Sequence, residues 1–345
     1  MFEKNWLFFE KHLFKGRYFL GHPFRMRGMS EARPPKKQAR RKNAVSKAVA
    51  AQSVSIEPAG VEPPAKVLPY SDIDVNRWRD YESIETGSLW MITGRERQNG
   101  HQLDYHGNCV PQILTQLLTR YTKQGDVVLD LFLGSGTSAI ESVNLGRKAI
   151  GVELKADMAE YVRQKLEEQG KSRDVEIING DSANAGWTGK SIQRSLKHFE
   201  REKAQFLFLH PPYADIIRFS DSENDLSNAE STEAFLDMFE QVCQLGYDML
   251  EPGRFSGLVI GDKYAAGALI PLGFLCMERM NRVGFTTKSI IVKNISGNEK
   301  AKGRMSNLWR YRALVGGFYI FKHEYVFLMQ KPKQPKKPGK NKGRC

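Results

Sequence analysis

The stretch Val127–Phe132, Gly134, Gly136 and then Thr137–Leu145 restricts this chain more than any other. An apolar run of strand length that carries Asp130 near its end and turns through two glycines into helix-forming residues reads as strand, tight turn and helix. A strand apolar on both faces belongs in a sheet covered on both sides, the usual situation of parallel strands. The pattern then repeats. Strands are expected at Ala149–Glu153, Val175–Asn179, Gln205–Leu209, Gly257–Ile260, Thr287–Lys293 and Tyr319–Met329. Helices are expected at Ala156–Gln169, Ile192–Glu202, Glu233–Leu250 and Leu269–Val283. Upstream, Ser88–Thr93 reads as a short strand and Pro111–Tyr121 as a helix with proline in its first turn. This alternation gives an α/β fold with a doubly wound, mostly parallel sheet.

At 345 residues there is room for one large α/β domain with extensions. The formal net charge of +13 is concentrated at the ends. Residues 31–47 carry seven Lys/Arg against one Glu, and residues 331–345 carry seven Lys/Arg and no acid. The expected organisation is a disordered basic extension over 1–68, a catalytic domain over 69–331 and a disordered basic tail over 332–345. Such arms suit a phosphate backbone, and equally a solvated, solubilising tail. Within residues 1–28 an aromatic-rich run is broken by Glu3 and Glu10 and lacks the marks of a secretory signal, so translation is expected to begin at Met29. No stretch has the apolar length that crosses a bilayer. Cys109, Cys243, Cys276 and Cys345 have no metal-ligand spacing, which points to no metal site and a reducing, cytoplasmic setting. Cys243 and Cys276 lie in apolar helical patterns and read as core thiols.

Gly134-x-Gly136-x-x-Ala139 fits a turn that brings backbone close to a nucleotide, and Glu153 ends the next strand, where a carboxylate accepts from ribose hydroxyls. This much serves NAD, S-adenosylmethionine or a plain tight turn. Asp130 favours the second, because a carboxylate there can pair with a cationic amino group that NAD lacks. Asp181 can accept from an adenine amino group or cap a helix. Downstream, His210-Pro211-Pro212-Tyr213 follows an apolar strand. Two prolines make a rigid bend without N–H groups, whose carbonyls can accept from a planar amino group while Tyr213 stacks on its ring. Gripping both hydrogens favours a pyramidal nitrogen whose lone pair can attack a sulfonium methyl. Carbon methylation of cytosine would call for a cysteine nucleophile, and none follows the prolines.

Taken together, these motifs resemble those of the N4-cytosine/N6-adenine family of DNA amino-methyltransferases, the bacterial modification methylases. Asp130-Leu-Phe-Leu-Gly134-Ser-Gly136-Thr137 looks like the family's cofactor motif and His210-Pro-Pro-Tyr213 like its catalytic tetrapeptide. His106-Gly-Asn108-Cys-Val-Pro111 is similar to the segment that contacts the methionine end of the cofactor. Gly261-Asp-Lys263, Ile270-Pro-Leu272 and Lys322-His-Glu-Tyr325 look like later blocks. Two departures stand out: Leu131 where the family usually has proline, and His210 where it has Asp, Asn or Ser. A neutral imidazole still accepts a hydrogen bond, and loses that capacity once protonated, below about pH 6.5.

The resemblance implies a seven-stranded sheet with the last strand antiparallel between its neighbours. It implies S-adenosylmethionine as cofactor, held by His106, Asn108, Asp130, Phe132, Gly134, Gly136, Thr137, Glu153 and Asp181. It also implies adenine-N6 or cytosine-N4 methylation of DNA by His210, Pro211, Pro212 and Tyr213, with a restriction endonuclease as a possible partner. The target base should be flipped out of the duplex, or be single-stranded already. Ile216, Ile217, Arg218 and Phe219, in the loop after the tetrapeptide, are candidates to close over the base or fill the gap it leaves, or belong to an ordered loop packed on the sheet. Lys293, Lys300, Lys302, Arg304, Arg310 and Arg312, interleaved with Trp309 and Tyr311, suit phosphate and base contact, or form a solvated loop. An RNA base as acceptor, and a catalytically inactive nucleic-acid-binding protein, are the alternatives.

Overall fold

The computed structural model describes residues 65–101, 108–213, 220–265, 267–295 and 306–333. Its centre is a sheet of eight strands: β1 (Leu89–Trp90), β2 (Val127–Asp130), β3 (Lys148–Glu153), β4 (Val175–Asn179), β5 (Ala204–Leu209), β6 (Leu250–Ile260), β9 (Thr286–Asn294) and β10 (His323–Gln330). A two-stranded hairpin, β7 (Lys263–Ala265) and β8 (Ala268–Ile270), stands apart. The spatial order is β1-β9-β10-β6-β5-β2-β3-β4. Only β10 runs against its neighbours, β6 and β9. The seven strands from β2 onward in this sheet therefore have the expected architecture, and β1 adds an edge.

The chain steps outward from β2 through β3 to β4, then returns across the sheet to place β5 on the other side of β2. Strand order reverses at that point, and a doubly wound sheet opens a crevice there, beyond the carboxyl ends of its strands. Both central strands are buried along their whole length. Alternate residues reach opposite faces. On one face, Val127 and Leu129 of β2 pack with helices α4 (Trp187–His198), α5 (Thr232–Met249) and α6 (Leu272–Val283). On the other, Val128 joins Phe206, Phe208 and the apolar side of α1 (Pro111–Tyr121). Helices α2 (Thr137–Asn144) and α3 (Ala156–Glu168) close a third cluster beside β3. Cys243 and Cys276 are core thiols, as expected.

Several elements differ from the sequence expectation, among them β6, which begins at Leu250 rather than Gly257, and β1, which covers only Leu89–Trp90 of the expected Ser88–Thr93. Helix α4 begins five residues before Ile192 and ends at His198, because much of its buried side is Thr188, Gly189, Ser191 and Ser195, which carry no apolar signal. Helix α6 begins at Leu272, since Ala268–Ile270 pairs in the hairpin and Pro271 occupies the N-cap. Strand β10 begins at His323 rather than Tyr319. Part of the basic stretch over 293–312, where no helix is expected, is helical: α7 spans Ser306–Gly316. Its apolar residues Leu314 and Val315 are about 70% exposed, so no buried stripe announces it. No described helix is long and apolar enough to cross a membrane.

Candidate active site

Two corners of chain meet at the switch point. β2 and β5 are adjacent and parallel, with Asp130 in register with Phe208, so Asp130 and His210 leave the same rim of the sheet. Parallel neighbours lie about 4.8 Å apart, which brings the glycine turn and the double-proline bend within reach of one ligand.

The first corner is rigid. Gly134 and Gly136 both adopt positive φ, +52° and +83°. At Gly136 there is also no room: a Cβ would stand 2.6 Å from Cγ1 of Val162 in α3. The turn is fastened by Glu153 at the end of β3, whose carboxylate accepts from Gly134 N (2.8 Å) and Lys155 N (2.9 Å). Burial pushes the Glu153 carboxyl up to about 7, against these hydrogen bonds. Asp130 is 4% exposed and accepts from Phe132 N (2.8 Å) and from the Ser138 hydroxyl. Burial raises its carboxyl to about 6, with no cation among the groups acting on it. No cation among the described residues pairs with this carboxylate, and each of its oxygens keeps a lone pair beyond the internal bond. Thr137 is the first residue of α2, whose N-cap is Gly136, with no side-chain cap.

Asn108 reaches the same turn, accepting from the Ser135 hydroxyl. The end of β4 is tied in as well. Ser182 donates to Leu131 O (2.6 Å), and Asn179 donates to Glu153 O (3.0 Å). Asp181 accepts from Ala183 N (2.8 Å) in a local turn. It does not cap α4, which starts at Trp187 behind Gly186.

At the second corner His210 and Tyr213 stand edge to face, ring centroids 5.9 Å apart at 78°. Burial lowers the His210 pKa below its ordinary 6.5, and the Lys293 and Arg95 charges act in the same direction against Glu324. His210 is thus a neutral acceptor at pH 7. The Tyr213 hydroxyl donates to Glu324 Oε2 (2.8 Å), while Lys293 Nζ donates to Glu324 Oε1 (2.9 Å). Burial and the Glu324 charge hold the phenol pKa well above its usual value.

The structure brings Asn108, Asp130, Phe132, Gly134, Gly136, Thr137, Glu153, Asp181 and His210–Tyr213 to one rim. Lys293 is corrected: it is 4% exposed and paired with Glu324, so it is not free to meet phosphate. Arg310 is exposed and Arg312 half-buried on α7. His106, Ile216, Ile217, Arg218, Phe219, Lys300, Lys302 and Arg304 lie outside the described residues. Arg95 was missed by the sequence reading. Its guanidinium donates to Asn108 O (3.2 Å), Cys109 O and Thr137 Oγ1 (3.4 Å), joining the segment before α1 to the glycine turn. Its only signal was its nearness to a short strand. The role of Glu324 was missed too, although a carboxylate opening an otherwise apolar strand is a visible anomaly.

The sheet order, the single antiparallel strand and the two corners on one rim define the methyltransferase type of doubly wound fold. A family model described as DNA methylase matches residues 31–164. Among curated proteins, the type II methyltransferase M2.DpnII of Streptococcus pneumoniae is 33% identical over 100 residues, 29% of this chain and 35% of that one. The type II methyltransferase M.BamHI of Bacillus amyloliquefaciens is 42% identical over 118 residues, 32% of this chain and 27% of that one. The aligned segments thus span about a third of the length of these relatives. Among solved structures, a SAM-dependent methyltransferase from Geobacter sulfurreducens, in complex with S-adenosyl-L-homocysteine, aligns with TM-score 0.42 and 14% identity over 68% of this chain and 96% of that one. TrmN from Thermus thermophilus aligns with TM-score 0.40 and 16% identity over 64% and 48%. Over residues 31–164 the chain is therefore similar to the DNA methylases that the family model describes, and over shorter segments to type II methyltransferases.

Proposed function

We propose that this protein transfers a methyl group from S-adenosylmethionine to the exocyclic amino group of adenine or cytosine in DNA, with the base flipped out of the duplex. The observation that carries the reading is the adjacency of the two corners: the glycine turn ends β2, the double-proline bend ends β5, and these are neighbouring parallel strands. The residues present fit the cofactor. Asp130, a buried carboxylate without a cationic partner among the described residues, suits its ammonium; Glu153 suits ribose hydroxyls; Asp181 suits the adenine amino group; and Asn108 and Thr137 border the turn. When bound, the cofactor supplies an electrophilic methyl carried on sulfonium sulfur.

The protein's own contribution is placement and proton management. Tyr213 offers a face to a planar base, and Pro211 and Pro212 offer carbonyls without competing N–H groups. Neutral His210 accepts a hydrogen from the amino group, and can accept the proton that the nitrogen must shed as it gains the methyl. Access requires a flipped or unpaired base. Arg310 and Arg312 on α7, with the basic segments on either side of the domain, suit the phosphate backbone.

Two experiments test this. Calorimetry with S-adenosylhomocysteine should detect one site per chain, and silence would contradict the cofactor. Labelled methyl transfer to unmethylated DNA and to RNA, run side by side, should favour DNA; label confined to RNA would move the substrate.

A further inference from the structure

We propose that Glu324 and Lys293 are positioning residues for methyl transfer: together they clamp the Tyr213 ring in the orientation in which it stacks on the acceptor base. The inference rests on the functional reading above.

The ring is constrained at each end. Its Cβ end follows the rigid Pro211-Pro212 bend. Its hydroxyl is bound at 2.8 Å by Glu324, which Lys293 holds at 2.9 Å in turn. Lys293 and Glu324 are direct cross-strand partners on β9 and β10, so the clamp is built into the ladder. On one flank, Gly261 after β6 approaches so closely that a Cβ would lie 3.2 Å from Tyr213 Cε2. His210 meets the ring edge on.

Stability is a poor reason for such a pair. The side chains of Lys293 and Glu324 are 5% and 14% exposed, and apolar residues of similar volume often serve a fold as well as a buried ion pair. Apolar residues cannot accept the Tyr213 hydroxyl. A phenol bound to a carboxylate also presents a more electron-rich ring, which favours a base that gains positive charge as the methyl arrives. The phenol keeps its proton across the working pH range, because burial and Glu324 raise its pKa.

The test measures labelled methyl incorporation into unmethylated DNA by the full chain, with S-adenosylhomocysteine affinity as control. Tyr213→Phe removes only the hydroxyl. It should lower kcat about ten- to a hundredfold, a loss of the size expected for a misplaced reactant, with a smaller effect on KM and none on cofactor affinity. The double variant Lys293→Met/Glu324→Leu should fold and show the same loss, and adding Tyr213→Phe to it should cost nothing more. Full kcat in Tyr213→Phe, or losses that multiply in the triple variant, overturn the clamp. A wild-type chain that transfers no label sinks the functional reading, and this inference with it.

Discussion

Replacing Gly136 by alanine perturbs the site at the point where the backbone has least freedom. Two costs follow from the geometry. At φ +83° an L-residue is strained by roughly 1–2 kcal/mol. Its Cβ would also stand 2.6 Å from Val162 Cγ1, in a cluster where Val162 is 1% exposed. Overpacking of that kind costs about 1–3 kcal/mol. Gly136→Ala should therefore destabilise the domain by about 2–5 kcal/mol, read as a lowered urea midpoint. The two costs separate in a double-mutant cycle. Val162→Ala removes both γ-methyls, so in that background Gly136→Ala should cost only the backbone strain of roughly 1–2 kcal/mol. The coupling between the two substitutions should then be about 1–3 kcal/mol. Affinity for S-adenosylhomocysteine should fall in the single variant and partly return in the double. Equal costs of Gly136→Ala in both backgrounds, or no cost in either, would refute the account of this turn.

Three further outcomes follow from the site. Asp130 and Glu153 carry carboxyls raised to about 6 and about 7, and a ligand ammonium favours the ionised Asp130, so S-adenosylhomocysteine affinity should be level at pH 8 and weaken as pH falls through about 6, with proton release on binding at that pH; Asp130→Asn should weaken binding at pH 8, by calorimetry. His210 has its pKa below 6.5, so with S-adenosylmethionine saturating at every pH, kcat/KM for DNA should hold as pH is lowered past 6.5 and fall where the imidazole protonates; His210→Ala should lower kcat by about a hundredfold or more. Replacing Arg310 and Arg312 together by alanine should weaken DNA binding evenly across sequences and reduce the salt slope by up to about two, leaving cofactor affinity unchanged.

The parts of the fold legible in the sequence are those whose burial is apolar and periodic. Pro111–Tyr121 and Val175–Asn179 coincide with expectation to the residue, because α1 shows one apolar side and β4 is bounded by polar residues. Elements were misjudged where burial or exposure broke that code: small polar residues on the hidden side of α4, and aliphatic residues in the open on α7. The glycine turn was readable because its conformation demands glycine at Gly134 and Gly136. The Tyr213–Glu324–Lys293 chain was not, since Tyr213 lies 111 residues from Glu324 and only the antiparallel insertion of β10 brings them together. The same holds for Arg95 and Thr137, which lie 42 residues apart and meet through the segment before α1.

The central claim, a sulfonium methyl delivered to a base amino nitrogen, is tested most directly by identifying the product. DNA from a methylation-deficient source, incubated with the protein and S-adenosylmethionine, would be digested to nucleosides and resolved by mass spectrometry. The expected products are N6-methyldeoxyadenosine or N4-methyldeoxycytidine above the no-enzyme control, reduced by Asp130→Asn at limiting S-adenosylmethionine. Methylation solely at cytosine carbon 5, or none in a chain that binds S-adenosylhomocysteine, would contradict it.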